Sequence, residues 1–571
     1  YPLEHWYTWD AYEGGRSNGV LIDDRWQGKP KDFFDDATIW TQHRGLMGSP
    51  HKIRLREFQP ERGGFDFNSP GGASFRWGGS GLLKYQRQIH YYIEKVPDFL
   101  DAPYEYYYDE AQNRLFVRLP DGMDPNDVAF EAGAVRSPIE LRDVKHAEIS
   151  GILFRFNDDD DGLYGFPWYV GADPMVRILG NCEDITVSHN RFYDVCNAVV
   201  AFPRPYGGEG GPAGLFQREI GMFQDDVMDN IVITDNDVLN NSGQGAIWLV
   251  GLSEPGREDR RARGWGVLKR VDVLRNRVRN SGFRPGSSPT TAIQAIRVIL
   301  PSICEMAGNM VDGSWGSGLF AMGGKSSGAI NEVALSRLLI HHNKVENTML
   351  GCNDYGGLEV FQGGPMYIYN NITHNAVGTK TFTGGELAYN LYLDGAFKVY
   401  SFNNLITGRY DPDRPNYYGH CGYFMVFGYL NNFWNNTVYR LEYGVNGSSG
   451  NRSAVLGNAF VDMSKTFIGQ NRPGDVSMAF GGDTGEQGRR GIPTMAYGDN
   501  VFFGSPDGGF RGEGDFGFIG GTAPGSRHQK AEVYTGDTLE ELSEKLETLG
   551  ARVSSIGRHV RSKRRRAAVG N

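Results

Sequence analysis

The sequence is poor in cysteine and has no long apolar run. Only 5 of its 571 residues are cysteines, and none of them form a CxxC pair. An odd number leaves at least one free thiol, so disulfides do not define the fold, and the spacing argues against a zinc or redox site. No run of about 18 apolar residues is present, which argues against a membrane-spanning helix. We therefore expect no resident metal or cofactor, with Ca²⁺ left open, and no membrane partner.

Positive charge is also scarce. There are 58 Lys and Arg against 68 Asp and Glu, and the formal net charge of −10 argues against a nucleic-acid partner. The one basic run, at 561–566, is interpreted as a solvated tail. The chain opens at Tyr1 without Met, which fits a trimmed mature form. We expect a secreted or periplasmic protein, and the sequence does not indicate an oligomeric state.

Glycine and aromatic residues are abundant. The 79 glycines and 13% aromatics favour an all-β protein with many turns. Residues 1–137 have no clear period and are predicted to form a β-rich accessory module with a hairpin built from 106–108 and 115–119. Residues 138–530 are predicted to be the catalytic domain, and 531–571 a C-terminal helix cap with a basic tail. The acidic run at 157–162 is interpreted as a solvated loop, with a calcium site as the alternative.

A repeat begins near Val144. A short strand of β-branched or aromatic residues ends in Asn followed within two residues by an apolar residue, in ten copies spaced by 22 to 46 residues. The ten positions are Asn190, Asn236, Asn276, Asn309, Asn343, Asn371, Asn404, Asn436, Asn458 and Asn500. Self-similarity at this period is typical of a solenoid, and the repeats are too short for propeller blades. The pattern predicts a right-handed parallel β-helix whose asparagines form a hydrogen-bonded ladder.

A second strand recurs after many of these asparagines. The candidates are 197–202, 245–250, 292–298, 318–323, 357–362, 422–427 and 443–448. If they stack as one sheet, Glu359 is flanked by side chains such as Trp248, Gln294 and Phe424. Aromatic rings and polar groups outside a sheet suit a sugar-binding groove. The alternative is that Trp248 and Phe424 are ordinary core residues.

The stretch 351–371 carries two carboxylates, Asp354 and Glu359. Leu358 and Val360 alternate with Glu359, so a strand here points Glu359 away from the side that carries the two apolar residues. A carboxylate on the outside of a packed strand, with a second one a tight turn earlier, suits general acid/base chemistry on a sugar. The alternative is that Asp354 caps a turn and Glu359 lies on a solvated face.

A third carboxylate, Asp394, follows 40 residues after Asp354 and is expected one coil further along. Stacked strands lie about 4.8 Å apart, so carboxylates on neighbouring coils can reach the roughly 5–9 Å range that glycosidases use. Lys398 and His420 are near in sequence. A Lys or His base with Arg297 or Ca²⁺ neutralising a uronate carboxylate is instead the equipment of a polysaccharide lyase. His420 as a solvated turn residue is the alternative.

The segment YYIEKVPDFLDAPYEYYYDE…NRLFVRLPDGMDPN (91–126) and the stretch DYGGLEVFQGGPMYIYNN resemble right-handed parallel β-helix carbohydrate-active enzymes. The chain is similar to glycoside hydrolase family 141 over about residues 85–505, and more distantly to the family 120 xylosidases. The resemblance implies that two acidic side chains on adjacent coils cleave the glycosidic bond. By motif position these are Asp354 and Asp394, with Glu359 as the competitor for either role.

The leading expectation is thus a glycoside hydrolase acting on a polysaccharide or oligosaccharide. A polysaccharide lyase and a non-catalytic carbohydrate-binding β-solenoid are the alternatives. The residues expected to contact substrate are Trp248, Gln294, Arg297, Tyr355, Gln362, Lys398 and His420.

Overall fold

The computed structural model describes most of the chain between residues 7 and 529. The described ranges are 7–14, 18–35, 37–42, 50–68, 90–133, 135–157, 174–203, 227–243, 245–251, 267–282, 293–323, 337–352, 354–378, 388–408, 421–447, 450–451, 453–463, 466–471, 495–498, 500–503, 517–518 and 528–529. The predicted C-terminal helix and basic tail, and the acidic residues at 158–161, lie outside these ranges.

Three long parallel sheets, named here the first, second and third sheets, dominate the molecule. They hold 11, 12 and 12 strands, and each sheet takes every third strand of the chain almost throughout. Each coil therefore gives one strand to each sheet, which makes the chain a right-handed parallel β-helix. The predicted fold is confirmed. The sequence favours it because short β-branched and aromatic strands pack well on pleated surfaces.

The strands of the first sheet are Ile139–Arg142, Pro174–Leu179, Asn197–Phe202, Ile247–Val250, Gln294–Ile299, Ser317–Met322, Tyr355–Gly363, Ala388–Ala396, Cys421–Val426, Tyr443–Gly447 and Thr466–Asn471. Those of the second are Lys145–Ser150, Glu183–Ser188, Val227–Thr234, Val267–Leu274, Pro301–Ala307, Arg337–His341, Met366–Tyr369, Val399–Phe402, Asn432–Trp434, Ser453–Leu456, Met495–Gly498 and Gly517–Phe518. Those of the third are Leu153–Arg155, Arg191–Tyr193, Asp237–Asn241, Arg277–Ser281, Met310–Ser314, Lys344–Thr348, Ile372–Ala376, Leu405–Thr407, Thr437–Tyr439, Ala459–Val461, Val501–Phe503 and His528–Gln529. A short parallel pair joins Gly428–Tyr429 to Gly450–Asn451.

One apolar core runs along the inside of the β-helix. In the first sheet Leu319, Leu358 and Leu391 occupy consecutive strands at one register and all belong to this core. Because strand side chains alternate between faces, the residue after each of them faces outward. Each fully buried aliphatic side chain contributes about 1.5–3 kcal/mol relative to exposure. The predicted inward position of Leu358 and outward position of Glu359 are both confirmed.

The predicted asparagine ladder stands at the corner between the second and third sheets. All ten predicted positions belong to it, from Asn190 to Asn500. In a typical step the backbone N–H and Nδ2 of Asn309 both donate to Oδ1 of Asn343, at 2.9 and 3.0 Å, while Nδ2 also donates to the Val273 carbonyl at 2.7 Å. The residue before the asparagine is left-handed at the nine coils from Asn190 to Asn458, as at His189 with φ 56° and Asn370 with φ 55°. The corner repeats because each amide satisfies the backbone of the next coil.

Aromatic side chains stack along the outside of the second sheet. His341, Tyr369, Phe402 and Trp434 follow one another on four consecutive coils. Ring centroids of successive pairs are 4.7, 5.1 and 5.5 Å apart, with interplanar angles of 18°, 4° and 8°. The rings of this aromatic stack therefore cover one another's faces and present their edges outward.

The N-terminal region forms a separate antiparallel sheet, which the aperiodic sequence did not reveal beyond its being β-rich. Its strands, in spatial order, are Tyr7–Thr8, His90–Glu94, Thr38–Gln42, Pro50–Gln59, Gly64–Asn68, Asn18–Ile22 and Ala11–Gly14. Its core is aromatic, with the rings of Trp9 and Tyr91 stacked at 3.6 Å.

Shorter elements follow this sheet in the chain. The predicted hairpin is present as Tyr106–Asp109 paired with Arg114–Val117. Short 3₁₀ turns lie at Pro97–Phe99 and Pro125–Asp127, and another, Asp24–Trp26, lies between two strands of the sheet itself. All five cysteines are buried, and none of their thiols is joined in a disulfide.

Candidate active site

One outward-facing row of the first sheet carries most of the predicted site. Consecutive strands place six side chains at the same register: Trp248, Arg297, Phe320, Glu359, Tyr392 and Phe424. The predicted stacking of Trp248, Glu359 and Phe424 on one sheet is thus confirmed. Gln294 lies on the same sheet but off this row, since its register partner is Ser317.

This row is covered by protein. Glu359 retains 2% of its exposure, Arg297 2% and Trp248 0%. The alternative that Glu359 is a solvated face is therefore wrong. Phe320 and Tyr392 are its register partners on the two adjacent strands, and both are buried beside it. The sequence correctly predicted that Glu359 points away from the core of the β-helix, but it did not predict that other residues cover it. Alternation along a strand indicates only which face a side chain occupies.

Glu359 has two hydrogen-bond donors on one oxygen. The Ser317 hydroxyl donates to Oε2 at 2.6 Å, and the backbone N–H of Gly356 donates to the same oxygen at 3.3 Å. Burial is the largest influence and raises the pKa of Glu359 to about 8, against the lowering effect of these two donors. The charges of Asp394 and Asp354 raise the pKa further. Glu359 therefore holds a proton near neutral pH.

Asp354 stands at the turn that precedes the strand Tyr355–Gly363. Its φ of 64° is left-handed, a conformation that Asp tolerates better than most residues. The side chain is half-buried, and desolvation raises the pKa of its carboxyl to about 6. The next residue, Tyr355, is buried against Met349 and Cys352.

Asp394 lies on the neighbouring coil, as the spacing predicted. It pairs with Phe361, two residues beyond Glu359, on the adjacent strand of the same sheet. One strand spacing and two residue rises separate the Cα atoms of Glu359 and Asp394 by roughly 8 Å. Asp394 is half-buried, and its charge acts on Glu359. The structure thus brings the three predicted carboxylates into one electrostatically coupled group, the carboxylate cluster of Asp354, Glu359 and Asp394.

Two tyrosines complete the surroundings of the cluster. The ring of Tyr389 stacks on Phe424 at 4.1 Å and tilts against Tyr392 at 4.7 Å. Burial, followed by the charges of the nearby aspartates, raises the pKa of both phenols well above the usual range, so they stay neutral. Neither tyrosine was singled out from the sequence. Their proximity to Asp394 in the segment LAYNLYLDG was the available signal.

Arg297 is a buried cation two strands before Glu359. Its guanidinium carbon lies 4.6 Å from the ring centroid of Trp248 and 5.5 Å from that of Phe320. Desolvation lowers its pKa to about 9, while Glu359 and Tyr355 favour the charged form. The aromatic rings provide partial compensation for the buried charge through their electron-rich faces. The indole N–H of Trp248 is directed elsewhere and donates to the Gln294 carbonyl at 2.9 Å.

The remaining predicted contacts are dispersed. Gln362 is buried at the end of the strand that carries Glu359, with φ 54°. Lys398 lies two residues after the next strand of the first sheet, Ala388–Ala396, and its carbonyl accepts from the Met366 N–H at 3.3 Å. His420 lies outside the described residues, so its predicted role stays a prediction.

Within the described ranges, no three His, Cys, Asp or Glu side chains are placed so that they could share a metal ion. No helix in the same part of the chain is long and apolar enough to cross a membrane.

Comparisons with known proteins support the fold only. No protein-family model matches the chain, and neither does any curated protein. A solved structure titled "Glycoside hydrolase" has a TM-score of 0.51 at 12% identity, covering 86% of this chain and 76% of that one. The periplasmic alginate epimerase AlgG has a TM-score of 0.33 at 9% identity, covering 63% and 77%. The catalytic domain of a GH87 alpha-1,3-glucanase has a TM-score of 0.25 at 9% identity, covering 91% of each chain.

At such identities only the shared β-helix architecture follows from the first likeness, and the other two TM-scores are too low to carry an argument. The similarity to families 141 and 120 stays a prediction.

Proposed function

We propose that the chain is a glycoside hydrolase acting on a polysaccharide or oligosaccharide. The observation that carries this proposal is the carboxylate cluster, in which a protonated, buried Glu359 lies one coil from the half-buried Asp394. Glycosidic bond cleavage uses two carboxyl groups that flank the bond, one as an acid and one as a nucleophile or base, and Glu359 and Asp394 are held in different environments.

Glu359 is assigned as the general acid. Its pKa of about 8 keeps a transferable proton available at neutral pH, and burial limits exchange of that proton with solvent. The proton passes to the glycosidic oxygen as the bond to the anomeric carbon breaks, and the bonding electron pair leaves with that oxygen. Asp394 is assigned as the opposing carboxylate, which attacks the anomeric carbon or activates water.

Asp354 is the competitor for the opposing role. Its pKa of about 6 implies that it is largely ionised above that pH. If Asp354 rather than Asp394 supplies the carboxylate, activity falls as the pH drops below about 6. In either case activity is lost as the pH rises through about 8, because Glu359 then gives up its proton.

The test is product analysis on a panel of polysaccharides, followed by carboxyl-to-amide variants. We expect saturated products with new reducing ends from the native protein. Glu359→Gln and Asp394→Asn should each lower kcat by several orders of magnitude, since each removes a group needed in the transition state. Asp312→Asn is a matched control, because Asp312 is an exposed carboxylate on the third sheet. Near-normal turnover in both site variants overturns the assignment.

A polysaccharide lyase is the second candidate, and Arg297 is the observation that favours it. A buried guanidinium in the same row as Glu359 can neutralise a uronate carboxylate, with Lys398 or His420 as the base. Lyase products carry a new C=C bond conjugated to the uronate carboxylate and absorb at short ultraviolet wavelengths. Unsaturated products from a uronate polymer, lost in Lys398→Ala or His420→Ala, would establish this candidate instead.

A non-catalytic binding solenoid predicts carboxylates scattered over the molecule. The electrostatic effect of Asp394 and Asp354 on Glu359, which requires all three to lie close together, counts against it. Secretion or a periplasmic location follows from the sequence interpretation and stays a prediction.

A further inference from the structure

The two donors on Glu359 converge on one oxygen only. Ser317 Oγ and Gly356 N lie 2.6 and 3.3 Å from Oε2. A protonated carboxyl group has one carbonyl oxygen, which accepts, and one hydroxyl oxygen, which carries the proton. The carbonyl oxygen is the stronger acceptor of the two, so the oxygen that accepts from two donors is assigned as the carbonyl oxygen. The proton of Glu359 accordingly belongs on Oε1.

Ser317 is held in place by its own backbone. It is fully buried as the first residue of the strand Ser317–Met322, and the Ser314 hydroxyl donates to its carbonyl at 3.1 Å. The preceding corner is tight, because a Cβ on Gly316 would lie 1.8 Å from the Ile293 carbonyl oxygen. The Ser317 hydroxyl therefore faces Glu359 without a loop rearrangement.

Resting on the proposed function, we propose that Ser317 is a positioning residue that fixes Oε2 of Glu359 as the carbonyl oxygen and directs the transferable proton to Oε1. When that proton moves to the glycosidic oxygen, Glu359 becomes a carboxylate. The same two donors then stabilise the new charge, since hydrogen bonds to a charged acceptor are about twice as strong as those to a neutral one. Ser317 thus acts on the acid and does not touch the sugar.

The groups that act on Glu359 oppose one another. Burial and the negative charges of Asp394 and Asp354 favour the protonated form. The hydrogen bonds from Ser317 and Gly356 favour the carboxylate form of Glu359. Arg297, on the same row, is the buried group of opposite charge. A negative charge on Glu359 also acts on two further titratable neighbours, the phenol of Tyr392 and the buried thiol of Cys352. Loss of the Ser317 hydroxyl removes a hydrogen bond that favours the carboxylate. The pKa of Glu359 therefore rises further, and Glu359 becomes a weaker acid.

The test compares Ser317→Ala with Ser317→Thr, which keeps a hydroxyl, and Ser317→Cys, which offers a weak donor in similar volume. We expect Ser317→Ala to lower kcat about ten- to a hundredfold with little change in KM, in keeping with the strength of a hydrogen bond to a charged group. The alkaline limb of its pH profile should move upward by about one unit. Ser317→Thr or Ser317→Cys should restore part of both. Ser281→Ala is the control, because Ser281 is also fully buried at a coil corner but lies on the third sheet.

A second substrate distinguishes a variant that has lost acid catalysis from one whose active site is misfolded. An aryl glycoside with a strongly acidic leaving group needs little protonation, so Ser317→Ala should lose much less activity on it than on a natural glycoside. Equal losses on both substrates, or an unmoved alkaline limb, overturn the proposal.

A direct titration keeps this inference separate from the proposed hydrolysis. The infrared C=O band of protonated Glu359, identified by its absence in Glu359→Gln, should persist to higher pH in Ser317→Ala than in the native protein. This readout needs no turnover. An unshifted band contradicts the role of Ser317, whereas a shifted band in a protein that cleaves no glycan contradicts only the proposed function.

Discussion

The molecule contains two buried polar systems that differ in how their burial is compensated. In the asparagine ladder each amide donates to the next coil and accepts from the previous one, so neutral groups are satisfied by neutral groups. In the carboxylate cluster burial, followed by the charges of Asp394 and Asp354, raises the pKa of Glu359 to about 8. Burial of the hydrogen-bonded ladder amides stabilises the fold. Burial of Glu359 instead destabilises its charged form and keeps it protonated near neutral pH. This difference indicates that the asparagine ladder stabilises the fold, whereas the carboxylate cluster serves the proposed reaction.

The largest effect on stability should come from the middle of the ladder. Asn309→Ala removes the acceptor for the backbone N–H and Nδ2 of Asn276 and the donor to the Val273 carbonyl. Each buried group left without a partner costs about 1–3 kcal/mol, so we expect a loss of about 3–5 kcal/mol in the free energy of unfolding. Urea denaturation measures it.

Asn432→Ala is the matched control for that substitution. Asn432 is a half-buried asparagine on the second sheet, and its side chain bonds only locally, to the Leu430 carbonyl at 3.2 Å. Its replacement should cost less than about 1 kcal/mol. If the two variants lose the same stability, the ladder is not a distinct source of stability.

A smaller effect of opposite sign is expected at the cluster. Because the folded-state pKa of Glu359 is raised, folding favours its protonated form, and that contribution is lost as the pH rises from about 4.5 through about 8. Glu359→Gln removes this pH-dependent loss of stability, because glutamine has no carboxyl proton to release. The variant should match the native protein at pH 4 and exceed it at alkaline pH by an amount of the order of a few kcal/mol.

Melting temperatures measured across this pH range give the comparison. Asp312→Asn, which alters an exposed carboxylate, should show no alkaline gain. A Glu359→Gln variant that is less stable than the native protein at every pH would contradict the raised pKa.

The smallest effect should come from the end of the ladder. Asn500 accepts from Asn458 at 2.9 and 3.0 Å and donates to the Val455 carbonyl at 2.9 Å, but it retains 9% of its exposure. Water can replace part of what its side chain supplies, so Asn500→Ala should cost about 1–2 kcal/mol. A loss equal to that of Asn309→Ala would show that position along the ladder does not matter.

The same comparison explains what the sequence could reveal. Every ladder position was predictable because the same requirement repeats at each coil: an asparagine with an apolar residue one or two positions later. Asp354, Glu359 and Asp394 were predictable as a group because strand alternation and coil spacing bring them together. Ser317 and Tyr389 were not, since a single hydroxyl or ring at one coil has no periodic signal and depends on side-chain packing in three dimensions.

The antiparallel N-terminal sheet was missed for a related reason. Its strands Tyr7–Thr8 and His90–Glu94 pair across more than 80 residues of sequence, and such long-range pairing has no local period to read. Its aromatic core showed only as composition. The covering of Glu359 likewise arises from side-chain packing around its strand and not from the alternation within it.

The aromatic stack of His341, Tyr369, Phe402 and Trp434 makes the middle coils of the β-helix visible to spectroscopy. Rings held face to face at about 5 Å couple their electronic transitions, so the near-ultraviolet circular dichroism of this face depends on coil-to-coil registry. Separation of these coils would therefore change the near-ultraviolet circular dichroism of Trp434, which lies at the end of the stack. The spectrum thus reports whether the middle of the β-helix stays in register.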